Sequence, residues 1–200
     1  MAAATKISEI APTKGLKDLK DIFGHAGRLF YDPNEYDLST GSADKPLAIT
    51  PAYDLPCTVD TFKMQQGDPT INHYKIIGVN GDWYTDFTAG DTSIEFTVPT
   101  KETDVLKLAY GDDAVADLTN ITIGGLAMKG TGLKFMEKII KGTFCIVNKE
   151  KDQIMLISGA EVMANVLYGT DNNAPFAVHF SGSIKSDGDT VNVAWLKAAA

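Results

Sequence analysis

The clearest periodicity in the chain lies at residues 93–98, where Ile94, Phe96 and Val98 alternate with Ser93, Glu95 and Thr97. A period of two sends successive side chains to opposite faces, so this stretch predicts a strand with one buried and one solvated side. Strand-like runs also occupy residues 57–64 (CTVDTFKM) and 70–79 (TINHYKIIGV). Gln65, Gln66, Gly67, Asp68 and Pro69 join them as a hairpin-length loop. Asn80-Gly81 marks a further turn before a strand from Trp83 to Phe87. Residues 142–148 (GTFCIVN) and 153–158 (QIMLIS) flank the charged turn Lys149-Glu150-Lys151-Asp152, which predicts another hairpin. Residues 160–167 are apolar with small side chains and either continue as a strand or form a short helical turn. Phe176, Val178 and Phe180 alternate with Ala177, His179 and Ser181, and a turn at Asp187-Gly188 leads to Val191, Val193 and Trp195 on one face.

The pattern changes to a helical one after Pro99-Thr100. Val105, Leu108 and Ala109 share a face, Thr100 is placed to cap the start, and Gly111 sits where a left-handed residue ends a helix. Residues 117–126 (DLTNITIGGL) read as a strand interrupted by glycines. Residues 133–141 fit a helix through Leu133, Met136, Ile139 and Ile140, or a strand through Leu133, Phe135 and Ile139. Gly132 and Gly142 bracket them at strand length, which favours the strand.

The first fifty residues differ. Leu16, Leu19, Ile22 and Phe23 have the spacing of one face of a short helix, with Gly24 or Gly27 placed to end it. Residues 31–51 carry Pro33, Asn34, Gly41, Ser42, Asp44 and Pro46 without periodicity. About twenty such residues are long for a connection inside a compact domain and point to a functional or flexible segment. The expectation is therefore an extended N-terminal arm with a short helix at residues 1–50. Residues 51–200 are then expected to form a mainly β domain, a β-sandwich or barrel with one flanking α-helix.

Composition narrows the function. The chain has 200 residues, 44% hydrophobic and 22% charged, which excludes wholesale disorder and fibrous structure. Eighteen Lys and Arg against 26 Asp and Glu leave a net charge of −8, the wrong sign for gripping nucleic acid through its phosphates. Cys57 and Cys145 sit in apolar stretches and read as buried free thiols. The chain starts without the apolar run of a secretory signal, and no stretch reaches the ~18 apolar residues of a membrane span, so a reducing cytoplasm is expected.

Candidate chemistry is sparse. His25, His73 and His179 are isolated from one another and from any ligand-like spacing. There is no G-x-S-x-G elbow, and Ser181-Gly182-Ser183 reads as a bulge in a strand. Neither cysteine stands beside a recognisable helix N-terminus that would activate it. Gly124, Gly125, Gly130 and Gly132 match no phosphate-binding spacing. Asp54, Asp60, Asp82, Asp86 and Asp91 are abundant, yet nothing selects two of them as an acid–base pair. Asn120-Ile121-Thr122 has the form of a glycosylation acceptor, which a chain that never enters the secretory route would not use. No catalytic, cofactor or metal residues are expected, and the chain is not expected to be an enzyme. Strand edges and a long arm suit an assembly unit, because open edges invite pairing with another chain.

Three segments carry a resemblance: VPTKETDVLKLAYGDD at 98–113, GTFCIVNKEKDQIMLIS at 142–158 and NAPFAVHFSGSIKSDGDTVNVAWLK at 173–197. In layout, over about residues 50–197, the chain resembles the major tail (tail tube) proteins of long-tailed bacteriophages. The resemblance implies a β-sandwich or barrel with one flanking helix, in subunits that form hexameric rings stacked into a hollow tube. It implies no catalytic residues, cofactor or metal. Its implied partners are other copies, other tail proteins, and DNA that passes through the lumen without specific binding; no membrane is involved. Its implied place is the virion tail, assembled in the cytoplasm of a bacterial host. Residues 1–50 and the loop at 65–69 then become inter-subunit and inter-ring contacts, and Asp60, Glu95 and Ser181 become lumen candidates. Acidic and neutral polar groups there would let DNA slide. Alternatives are another tail or connector subunit, a monomeric barrel enclosing an apolar cavity for a small ligand, and an enzyme of unfamiliar type.

Overall fold

The alternation at residues 93–98 is a strand whose apolar set lies in the middle of the core: Ile94, Phe96 and Val98 are buried and Ser93 is exposed. The computed structural model describes residues 25–40, 47–58, 61–78, 80–169, 176–185 and 190–197. In chain order these form β1 (Ala26–Asp32), β2 (Tyr53–Leu55), β3 (Lys63–Gln66), β4 (Thr70–Tyr74), β5 (Tyr84–Thr88) and β6 (Thr92–Val98). The helix α1 (Thr103–Tyr110) follows, then β7 (Val115–Ile123), β8 (Leu126–Leu133), β9 (Ile139–Asn148), β10 (Gln153–Tyr168), β11 (Phe176–Ile184) and β12 (Val193–Lys197).

Eight strands make one antiparallel sheet in the order β2-β1-β9-β10-β11-β6-β3, with β12 also paired to β10. The sheet curls because β10, 16 residues long, serves two layers. Its first part, Gln153 to Ile157, pairs with β12, and its second, Ala160 to Tyr168, pairs with β11. The register with β9 shifts between Ile157 and Ala160, and Gly159 there has φ 72°. A bulge residue in the left-handed region bends a strand at little cost only if it is glycine. The result is a barrel-like sandwich, as the alternating runs predict. Phe96 stacks on Phe180 at 4.8 Å and meets Phe144 edge-on at 5.3 Å, and Tyr31 packs on Phe144 at 5.1 Å, so one aromatic column joins both layers.

Helix α1 lays Val105, Leu106, Leu108, Ala109 and Tyr110 against this core. Gly111 ends it, donating its N–H to the Lys107 carbonyl at 2.8 Å. Thr100 is not the cap residue itself; Glu102 holds that position, and the Thr100 hydroxyl accepts the Glu102 N–H at 3.1 Å in the turn before the helix. The hairpin expected around residues 149–152 is β9–β10, and residues 160–167 continue as strand.

Several expectations change. Residues 26–32, expected in the arm, are a strand of the main sheet with Leu29 and Tyr31 buried. Their alternation is masked because Phe30, on the opposite side, is apolar too. Residues 33–36 are also tied down. Tyr36 donates its N–H to Ser158 Oγ at 2.7 Å, and Thr143 Oγ1 donates to the Asn34 carbonyl at 2.8 Å, both at the bend of β10. Asp32 is buried there. Burial pushes its carboxyl up, but hydrogen bonds from Asn34, Tyr36 and the Thr50 backbone outweigh this and hold it below its ordinary value. The expected helix at Leu16, Leu19, Ile22 and Phe23 and the turn at Asp187-Gly188 lie outside the described residues.

The hairpin expected between residues 57–64 and 70–79 does not form. β3 pairs with β6, and β4 pairs with β5 as a separate two-stranded excursion between them. The glycine-interrupted run at 117–126 is strand through Ile123, as part of β7, and Gly124 and Gly125 form the tip of a second separate hairpin, β7–β8, that leads into β8 at Leu126. Residues 134–138 are neither helix nor strand. Ser181-Gly182-Ser183 is not a bulge, since its pairing with β10 and β6 keeps register throughout.

Candidate assembly surfaces

The residues weighed for chemistry are scattered and already occupied. His73 Nδ1 lies 2.6 Å from Asp82 Oδ2, binding one strand of the β4–β5 hairpin to its distal loop. His179 Nδ1 is 3.1 Å from the Thr97 hydroxyl on the neighbouring strand, and the His25 carbonyl accepts the Lys149 N–H at 3.0 Å. Asp54 forms an ion pair with Arg28, Asp86 accepts the N–H of Phe87 at 2.9 Å, and Asp60 lies outside the described residues. Asp91 accepts the Gly67 N–H on its carbonyl at 2.8 Å, at the base of the hairpin. Burial pushes the Cys57 thiol up to about 12 and the Cys145 thiol up to about 11, so both stay protonated and poorly nucleophilic at neutral pH. Among the described residues, no three His, Cys, Asp or Glu side chains gather where they could hold a metal ion.

What the chain does present is apolar surface in organised places. In the β4–β5 hairpin Ile71 stands opposite Phe87 and Tyr74 opposite Tyr84, and every residue of β4 is exposed. Its distal loop adds Ile77, fully exposed, and Trp83 at 65% exposure. A two-stranded hairpin is marginal by itself, and apolar side chains gain nothing by standing in water. The β7–β8 hairpin repeats the arrangement. Ile121 pairs with Met128 and Ile123 with Leu126, giving one exposed apolar stripe towards its tip, while Val115 and Leu133 anchor its base to the core.

The two outer faces of the curled sheet contrast. On the β3-β6-β11-β10 side, Lys63, Glu95, Ser181 and Met163 stand in one cross-strand row. Gln65, Ser93, Ser183 and Glu161 form the next. Glu95 and Ser181 thus stand side by side on neighbouring strands. Lys63 Nζ lies 2.6 Å from Glu95, and Lys141 and Lys185 reach Glu161 at 2.7 and 3.0 Å. These hydrogen bonds and charges hold both carboxyls below their ordinary values. The face is polar and charge-paired. The opposite side is apolar: Phe30, Cys145, Leu156 and Ala194 form one row, and Val147, Ile154 and Leu196 continue the next. Leu47, Ile49 and Pro51 border it as an open groove of about 520 Å³.

Apart from Cys145, weighed above only as a thiol, sequence reasoning singled out none of these apolar residues as functional. The usable signal was Ile121 and Ile123 alternating with Asn120 and Thr122 in a strand that pairs only with its own hairpin partner. The loop expected as a contact at 65–69 is divided, since Gln65 and Gln66 belong to β3. No protein-family model, curated protein or solved structure matches the chain.

Proposed function

We propose that this chain is a structural protein that assembles with copies of itself. The form proposed is the tail-tube subunit of a long-tailed bacteriophage, built in the host cytoplasm into stacked, hexameric rings. The observation that carries this reading is the β4–β5 hairpin. It places Ile71, Ile77, Trp83 and Phe87 in solvent, away from the core that the other strands share. Organised apolar surface of this kind marks a contact with another macromolecule. Apolar projections on one part of a subunit and an apolar groove on another suit head-to-tail contacts, which close into rings when the rotation permits. The polar, charge-paired face suits a channel wall, because lysines already engaged by Glu95 and Glu161 offer little free charge to DNA phosphates.

A ligand-binding barrel is less well supported: Phe96, Phe144 and Phe180 fill the interior where its ligand would sit. Another tail or connector subunit would share the exposed hairpins and differ in the particle it forms. Sedimentation velocity and negative-stain microscopy across increasing protein concentration test the proposal. Rings or tubes of constant diameter are expected, and a particle that stays monomeric at the highest concentration overturns it.

A further inference from the structure

The sequence contains one Asn-Gly pair, Asn80-Gly81, and it stands in the distal loop of the β4–β5 hairpin together with Ile77, Asp82 and Trp83. The loop is pinned at its base, where Trp83 donates its N–H to the Tyr74 carbonyl at 2.8 Å and Asp82 reaches His73 at 2.6 Å. Beyond those bonds Asn80 and Gly81 are both exposed. Gly81 has φ 108°, and a Cβ placed on it would meet nothing within 4 Å. Among the described residues, neither the Asn80 side chain nor the Gly81 N–H has a hydrogen-bond partner. Other asparagines are held differently. Asn34 Nδ2 donates to Asp32 at 2.8 Å, Asn148 Nδ2 to Asp152 at 2.6 Å, and Asn192 Nδ2 to the Ser158 carbonyl at 3.3 Å. Asn72, Asn120 and Asn165 lie inside strands and precede His73, Ile121 and Val166, whose side chains crowd the backbone nitrogen. An unbonded side-chain amide beside an unshielded glycine nitrogen is the arrangement in which an asparagine reacts with its own backbone.

We propose that Asn80 is a self-modifying site, converted without an enzyme to aspartate and isoaspartate. The Gly81 amide nitrogen gives up its proton and attacks Asn80 Cγ. The N–Cγ bond forms, the Cγ–Nδ2 bond breaks, and Nδ2 leaves as ammonia with the displaced proton. Water then opens the cyclic imide: attack at the side-chain carbonyl gives aspartate, and attack at the main-chain carbonyl gives isoaspartate. In sum, a neutral amide and a water become a carboxylate and an ammonium ion. Glycine matters at the second position because it leaves the nitrogen open to attack and lets the backbone turn into the ring. The consequence for assembly rests on the function proposed above. The new negative charge falls in the same loop as Ile77 and Trp83, on a chain that already carries −8. Burying it in an apolar contact is costly, so a subunit loses assembly competence as it ages.

The test incubates the full chain in mildly alkaline buffer at physiological temperature and samples it over days. Peptide mass spectrometry, with digestion at mildly acidic pH and a fresh sample as the zero point, reads the amide-to-acid mass gain at each asparagine. Asn80 is expected to convert at least about tenfold faster than Asn34, Asn148 or Asn165, and Gly81→Ala to slow it about tenfold. An Asn80 that keeps its amide, that converts no faster than those three, or that converts at the parent's rate in Gly81→Ala overturns the site. The consequence for assembly is read with Asn80→Asp, which supplies the charge at once. It is expected to raise the concentration at which assemblies appear in sedimentation by about fivefold or more, and an unchanged concentration overturns that consequence. A parent chain that stays monomeric overturns the proposed function and the consequence for assembly with it, while the mass measurement decides the site.

Discussion

At the scale of single residues, the glycines separate two kinds of constraint that sequence alone leaves mixed. Ser181-Gly182-Ser183 is legible as an unusual point in a strand, but the reason is not a bulge. A Cβ on Gly182 would stand 1.9 Å from the Glu161 carbonyl oxygen and 2.7 Å from the Val162 Cα, so β10 and β11 approach too closely there for any side chain. Gly130, in the exposed hairpin strand β8, would meet nothing within 4 Å. Gly182→Ala must therefore push two central strands apart, an overpacking cost of about 2–3 kcal/mol, which lowers the melting temperature by about 5–10 °C for a chain of this length. Gly130→Ala only removes backbone freedom from the unfolded chain and is expected to leave stability unchanged or raise it by about 0.5–1 kcal/mol. Thermal melts followed by circular dichroism check both. A Gly182→Ala melt that matches the parent would mean the two strands sit farther apart than described here.

At the scale of elements, what was legible was local. The strand β6, the helix α1 and the β9–β10 hairpin each carry their period and their turn residues within a dozen or so positions, and each stands where the pattern puts it. What escaped was non-local. β3 pairs with β6 across the whole β4–β5 excursion, so proximity in sequence assigned it the wrong partner. β1 escaped because Phe30 faces the apolar outer groove while Leu29 and Tyr31 face the core, which erases the polar half of the alternation. The exposed apolar surface proposed for assembly was less legible still, since an exposed isoleucine and a buried one are the same letter until the pairing is known. The nested hairpin also gives a test at its own scale. Gln66 pairs directly with Thr92, and Gly67 bonds back to Asp91, so the β3–β6 ladder closes beneath the hairpin without its help. Ile77→Ser, Trp83→Ser and Phe87→Ser together are expected to shift the melting temperature by no more than about 2 °C, as for other exposed sites, while abolishing higher-order assembly in sedimentation. A large loss of stability would place these side chains in the fold instead of in a contact.

For the molecule as a whole, two forces on association have opposite signs. A net charge of −8 on every copy makes subunits repel, and each added copy increases the repulsion. In the proposed assembly the exposed apolar hairpins and the groove beside Phe30 would attract, through burial that does not depend on charge. The charge pairs described, Lys63 with Glu95 and Lys141 and Lys185 with Glu161, are satisfied inside one subunit and so contribute little across a contact. Salt separates these terms. Raising ionic strength from about 0.1 to 1 M shortens the screening length from about 10 to 3 Å, which removes most of the repulsion and leaves apolar burial intact. The concentration at which assemblies first appear in light scattering is therefore expected to fall as sodium chloride is added at constant pH. Assembly that dissolves in salt would mean that ion pairs between subunits hold it together, and the hairpins would lose their role as the driving contact.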